Sequence, residues 1–297
     1  MRYGLTRRVL GFQSFVEISA DHYENARAAK VNLQTFLRIE ENFDLLLANY
    51  ADLERDLLDI ALRTLVYQQP GWSSAMDNLS STIRRLMNLL TVIRSYADHV
   101  PRHVGKAIGK AEGEKIRSWL REVYENVPEY RILWEIRNYA QHAGMPLHGI
   151  QYRSSREEAA GGTRFRECAV PWIEPGSLAE DSRFDSAVLE DLRRMGERVD
   201  LMPLVRTCVE AIAGVHQRLR DLAATWIGSW EGAIALVITQ GKKVFGEIAE
   251  LSLVKESDAG SIEEVSAIFP EQIERRRSLQ EKNSKLANLS SRYVSGI

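Results

Sequence analysis

Apolar residues that recur at threes and fours constrain this chain more than any other feature. Between residues 25 and 67 the run LQTFLRIEENFDLLLANYADLERDLLDIALRTL sets Leu33, Phe36, Leu37, Phe43, Leu46 and Leu47 along one stripe. That period belongs to the α-helix, because residues three and four apart share a face. The run contains neither proline nor glycine. It therefore predicts one long amphipathic helix, whose stripe must be buried against other helices.

The stretch QQPGW at 68–72 breaks the pattern. A second long helix, NLSSTIRRLMNLLTVIRSYADHV, follows and is expected to end at Pro101, which lacks the N–H that would continue the ladder. A Gly/Lys-rich connection, GKAIGKAEGEK at 105–115, leads into IRSWLREVYENV. Pro128 suits the first turn of the next helix, PEYRILWEIRNYAQHA. Gly144 is expected just past its end, and Pro146 prevents continuation.

The character then changes. GIQYRSS and TRFRECAVPW alternate around REEAAGG, which predicts a β-hairpin with a flexible tip. From Phe184 to about Gly246 the pattern is helical again, with breaks expected at WIGSW and TQGKK. LSLVKES at 251–257 reads as a short strand. The tail from Pro270, with Arg275, Arg276 and Arg277 in a row, reads as an amphipathic helix frayed at its end. The expected fold class is mainly α. An antiparallel helical bundle carries an inserted β-hairpin and additional C-terminal helices. The expected division is a helical core over 1–150, the hairpin and a loop over 151–183, and a helical region packed on the core over 184–297.

Composition narrows the function classes. The 297 residues are 44% hydrophobic with a net charge of −2, so the chain does not coat nucleic acid by bulk charge. Charge is nevertheless uneven. Residues 17–59 hold ten acidic and four basic side chains, whereas residues 84–121 hold nine basic against three acidic. The basic block is either a solvated face balanced by the acidic helix or a phosphate-attracting surface. Cys168 and Cys208 stand 40 residues apart with no metal-ligand spacing, and read as two reduced, buried thiols. The N-terminal MRYGLTRRVLGFQSFVEISA is a poor secretory signal, because Gln13, Ser14 and Glu17 interrupt its apolar run. The apolar window GAIALVITQG at 232–241 is about half the length that spans a bilayer. A cytoplasmic, membrane-free protein is expected.

Most catalytic patterns are missing. GKAIGK is one residue short of a phosphate loop, with Ala111 where a magnesium-binding hydroxyl belongs. No nucleophile elbow, zincin, EF-hand or dinucleotide fingerprint occurs. His22 and His216 stand alone in helical runs and read as solvated or core histidines.

One constellation stands out, WEIRNYAQHAG at 134–144. Asn138 and His142 lie one turn apart on a helix, and the long side chain of Arg137 can swing over the same area. A histidine near neutrality is a general acid or base, and an arginine's planar fork suits a phosphate or the charge of a phosphorane-like transition state. Asn138 can orient the imidazole or an RNA hydroxyl. These groups suffice for attack of an RNA 2′-OH on the adjacent phosphorus without a metal, a reaction closed to DNA. The same R-x4-H spacing recurs at Arg94–His99, in RSYADH, and offers an alternative site for an enzyme of another class.

RNYAQH, on a late helix of an all-α chain, resembles the R-[N/H]-x(3)-H signature of the HEPN superfamily. The likeness covers residues 25–150. It implies a HEPN-like helical core and a metal-independent endoribonuclease of the phage-defence or toxin type, needing no cofactor. It implies Arg137 and His142 as the catalytic pair, with Asn138 as polar companion. It further implies a homodimer whose cleft joins two motifs, and an antitoxin or defence-system partner protein. RRLMNLLTVIRSYADH resembles the preceding helix of some bacterial members, which adds Asn88, Arg94 and Asp98 as supporting residues. Arg102, Lys106 and Lys110, from the basic block, are the candidate substrate-binding cations. The alternative is a non-catalytic helical dimer that binds RNA or a partner protein.

Overall fold

In the computed structural model, the described residues are 1–7, 15–67, 71–159, 162–246, 250–284, 286 and 288–292. They are mainly helical. The helices are α1 (Ala20–Val66), α2 (Trp72–Ala107), α3 (Lys110–Asn126), α4 (Pro128–His142), α5 (Pro175–Leu178), α6 (Ser186–Met195), α7 (Leu201–Phe245) and α8 (Glu271–Lys282). Seven strands accompany them: β1 (Arg2–Arg7), β2 (Phe15–Glu17), β3 (Gly149–Ala159), β4 (Gly162–Ile173), β5 (Val199–Asp200), β6 (Leu251–Glu256) and β7 (Ile262–Ile268).

The chain forms two compact units, each assembled from three separate stretches. The first comprises Met1–Glu41, Val100–Ile116 and Gln217–Lys285, and the second Asn42–His99, Arg117–His216 and Leu286–Ile297. The units are thus interleaved along the sequence.

In the first unit an antiparallel sheet runs in the order β2-β1-β6-β7, with Leu5 opposite Leu253. Leu5, Leu251, Leu253 and Ile268 pack with Tyr23, Ala26 and Leu33 of α1 and with Ile234 and Val237 of α7. Burying such side chains stabilises the unit by about 1.5–3 kcal/mol each. Arg220 is buried and forks onto Glu40, with Nη2 2.7 Å and Nε 3.0 Å from the two carboxylate oxygens. Two desolvated charges fastened so closely hold α7 to α1 in one register.

Three sequence expectations are corrected here. Pro101 does not end α2, which continues to Ala107. Val100 and Val104 on either side of it are fully buried, and that burial outweighs the one hydrogen bond the proline removes. The Gly/Lys-rich segment is not an open connection. A Cβ added at Gly113 would lie 2.6 Å from the Pro101 carbonyl and 3.0 Å from the Gly105 Cα, so the glycines let α2 and α3 touch backbone to backbone. Finally, WIGSW and TQGKK do not interrupt α7.

In the second unit, Phe43, Leu46 and Leu53 of α1, Leu86, Leu89 and Ile93 of α2, and Ile132, Leu133 and Ile136 of α4 are buried. His216 is a core histidine, stacked on Phe43 at 3.9 Å between centroids and bonded through Nδ1 to the Tyr96 hydroxyl at 2.8 Å. Arg206 forks onto Glu54 at 2.8 and 3.0 Å. The hairpin is present, but its strands run through REEA to Ala159, which faces Gly162 across the turn. Of the expected tip, residues 160–161 lie outside the described residues. Both cysteines are free thiols, and only Cys208 is buried; Cys168 is half-buried on β4. Burial raises the Cys208 thiol far above its ordinary pKa.

Candidate functional site

Helix α4 positions the motif. Pro128 occupies its first turn, where a missing N–H costs nothing, and Tyr130, Ile132, Leu133 and Ile136 turn inward. The inward stripe fixes the rest of the helix by its period. Arg137 and Asn138 fall on the flank, half-buried, and Gln141 and His142 fall in solvent. The helix ends at His142, and the Ala143 N–H bonds the Tyr139 carbonyl at 2.8 Å. Gly144 does not take the left-handed conformation expected of a glycine cap.

Arg137 donates from Nη1 to the Gln141 Oε1 at 3.0 Å, one turn on. Its Nε is enclosed and makes no hydrogen bond among the described residues. Its stem passes a narrow gap bounded by Leu90 and Ile93 of α2 and by Tyr130, Leu133 and Trp134 of α4. Asn138 donates from Nδ2 to the Glu135 Oε1 at 3.4 Å. Burial raises the Glu135 pKa, against the opposing pull of that hydrogen bond.

His142 is exposed, and no hydrogen bond reaches its ring among the described residues. Its carbonyl accepts from the Arg183 Nη2 at 3.1 Å. Arg183 also forks onto Asp181, with both contacts 2.9 Å. The Arg183 hydrogen bonds hold the Asp181 carboxyl below its ordinary pKa, and the nearby charge of His142 lowers it further. Asp181 and Arg183 therefore belong beside the motif. Sequence reasoning missed them because they lie in the loop between α5 and α6, where no periodicity points.

Arg94 joins α2 to the same place. Its guanidinium lies 3.9 Å above the Trp134 ring, and its Nε donates to the Asp98 Oδ2 at 2.8 Å. Thus Arg94 and Asp98 adjoin α4, whereas Asn88 is exposed on α2 with no hydrogen bond among the described residues. Arg102, Lys106 and Lys110 are exposed side chains of the first unit, while α4 belongs to the second. No hydrogen bond links Arg137, Asn138 and His142 to one another among the described residues.

A cleft of the second unit contains none of the motif residues. It measures about 330 Å³ and lies between the start of α2 and the hairpin, with Met76, Leu79, Tyr152 and Trp172 as its walls. Arg198 also lines it, its guanidinium 4.6 Å above the Trp172 ring. The motif instead stands on an open surface, which suits a polymeric ligand better than an engulfed small molecule.

No family model matches this chain, and no curated protein and no solved structure matches it.

Proposed function

We propose that this chain is a metal-independent endoribonuclease of the phage-defence or toxin type, with Arg137, Asn138 and His142 as its site. The observation that carries the proposal is the division of labour on the last two turns of α4. Among the described residues Arg137 donates to the neutral amide of Gln141 and to no carboxylate, so it is held in place without being neutralised there. His142 presents its ring to solvent beside the carboxylate of Asp181.

The chemistry balances with these groups. An imidazole accepts the 2′-OH proton as the 2′-oxygen bonds to phosphorus, the bond to the 5′-oxygen breaks, and an imidazolium returns a proton to that oxygen. The products are a 2′,3′-cyclic phosphate and a 5′-hydroxyl. Arg137 stabilises the charge that develops on the phosphoryl oxygens. Two proton transfers at one phosphate are best served by two imidazoles. A pair of chains meeting at this surface, as the HEPN resemblance implies, supplies them.

A second reading has its own observation. The enclosed Nε and half-buried stem of Arg137 are what a packing arginine shows, which favours a non-catalytic helical dimer that binds RNA or a partner protein. Inducible expression of wild type, Arg137→Ala and His142→Ala, with total-RNA end mapping in chelator, separates the two. Nuclease action gives cyclic-phosphate ends with wild type alone and equal thermal midpoints for all three. If Arg137→Ala loses stability and no chain cuts RNA, the packing role stands.

A further inference from the structure

Every exposed helix in water needs polar side chains, and α1 of the first unit has them: Asp21, Glu24, Arg27 and Arg38 all face solvent. The middle of the α7 portion in that unit exposes no charged side chain. From residue 222 to residue 241 its exposed positions are Ala224, Thr225, Trp226, Gly228, Ser229, Gly232, Ala235, Leu236 and Thr239, without a single charge. Leu236 is 43% exposed, and a Cβ added at Gly228 or Gly232 would meet nothing within 4 Å. The opposite side of the helix is already occupied, because Ile234, Val237 and Trp230 pack on the core of the unit. The one ionised residue in the stretch, Glu231, is bonded by Arg276 and Arg277 of α8.

Opposite charges bound this neutral face. Asp221 stands at one end and Lys243 at the other, both exposed. Residues eleven apart on a helix come back to within about 20° of one another, so Asp221, Gly232 and Lys243 lie in line over roughly 33 Å. Gly232 is midway between them. A second α7 laid antiparallel across Gly232 brings Asp221 of each copy against Lys243 of the other. The same operation sets Thr225 against Thr239, Ser229 against Ala235, and Leu236 over the gap at Gly228. A face that matches itself in charge and shape under a two-fold axis is what an isologous contact requires.

We propose that the 221–243 face of α7 binds a second copy of this chain, antiparallel, with the axis at Gly232. The contact lies in the first unit and uses no residue of the Arg–His motif. It is therefore independent of the nuclease proposal and distinct from a cleft that joins two motifs. α7 is also long and apolar enough to cross a membrane by length and composition. Its packed second face and the Glu231–Arg276–Arg277 cluster favour a protein neighbour over a bilayer.

Sedimentation equilibrium of the full chain tests this. Reversible self-association that depends on this face is expected. Gly232→Glu places two like charges on the axis and weakens it about tenfold or more. An exposed glycine with open space around it accepts the change without unfolding, which circular dichroism verifies. Asp221→Lys or Lys243→Glu alone weakens association roughly two- to fivefold, and the two together restore it. In a Cys168→Ser background, Gly232→Cys forms a dimer-linking disulfide and Ser229→Cys does not, because only residue 232 meets its own copy. A folded monomer at all concentrations overturns the proposal, as does a dimer indifferent to Gly232→Glu. Flotation with phosphatidylglycerol vesicles that Gly232→Glu abolishes overturns it in favour of a membrane surface.

Discussion

The second unit carries the R-x4-H spacing twice, on α2 and on α4, and the two copies differ in what holds their ends. Five residues along a helix turn the side chains about 140° apart, so neither copy forms an arginine–histidine pair by itself. Each arginine instead takes the residue four positions on. Arg94 finds the carboxylate of Asp98 at 2.8 Å and lies on the Trp134 ring, whereas Arg137 finds the neutral amide of Gln141 at 3.0 Å. The histidines differ in the same direction. His99 bonds Ser95 through Nδ1 at 3.1 Å, and the ring of His142 has no bond among the described residues. One spacing thus yields a fastened copy and an unfastened one. The spacing is silent about chemistry; the residues four away decide it.

The sharpest way to break this comparison is to remove the two histidines separately. His142→Ala is expected to lower RNA cleavage by about 10² to 10⁴-fold, the contribution of a general acid or base, while His99→Ala leaves the rate within a factor of about two. Equal losses in a single-turnover assay would mean that the fastened copy also reacts.

The arginines give the next largest contrast. Arg137→Lys keeps the charge and discards the planar fork, so cleavage is expected to fall about 10² to 10³-fold with little change in stability. Arg94→Ala acts the other way. It removes a cation–π contact and a half-exposed ion pair, and unfolding in urea should come earlier by about 1 kcal/mol, with cleavage less affected. If instead Arg94→Ala abolishes cleavage at unchanged stability, the α2 copy is the site.

The same lesson, that neighbours outrank local pattern, explains what the sequence made legible. Stripes such as Leu33–Leu47 gave α1 correctly because burial and period coincide there. The β3–β4 hairpin was legible from its alternation. The four-stranded sheet was half visible: LSLVKES on β6 is buried at its apolar positions, but β7, IEEVSAI, keeps Ile262 and Val265 largely exposed. β1 went unread because RYGLTR, with Leu5 its one buried aliphatic side chain, carries almost no apolar alternation until β6 pairs with it. Pro101 misled for a related reason, since a breaker rule knows nothing of the buried valines beside it. At the candidate site, Arg137, Asn138 and His142 were legible as a motif. Asp181 and Arg183 were not, because a loop brings them to His142 across 39 and 41 residues of chain.

The smallest expected effect tests burial on α4 against its counterpart on α2. Two residues before Arg137 stands Glu135, and two before Arg94 stands Val92, so only the α4 copy places a carboxyl in the half-buried flank. Burial raises the Glu135 pKa, so the folded chain holds that proton more tightly than the unfolded chain does. The unfolded state then binds fewer protons between the two pKa values, and stability from this group falls as pH rises through that window. It is complete below the ordinary glutamate pKa and absent above the raised one. Glu135→Gln removes the ionisation and keeps an oxygen for Asn138. The variant should gain on wild type in guanidinium midpoint at neutral pH, and the gap should close as pH falls to about 4. A gap that persists unchanged at low pH would assign the difference to packing rather than to the charge. Val92→Gln, on the fastened copy, should show no such closing, because no titrating group is exchanged there.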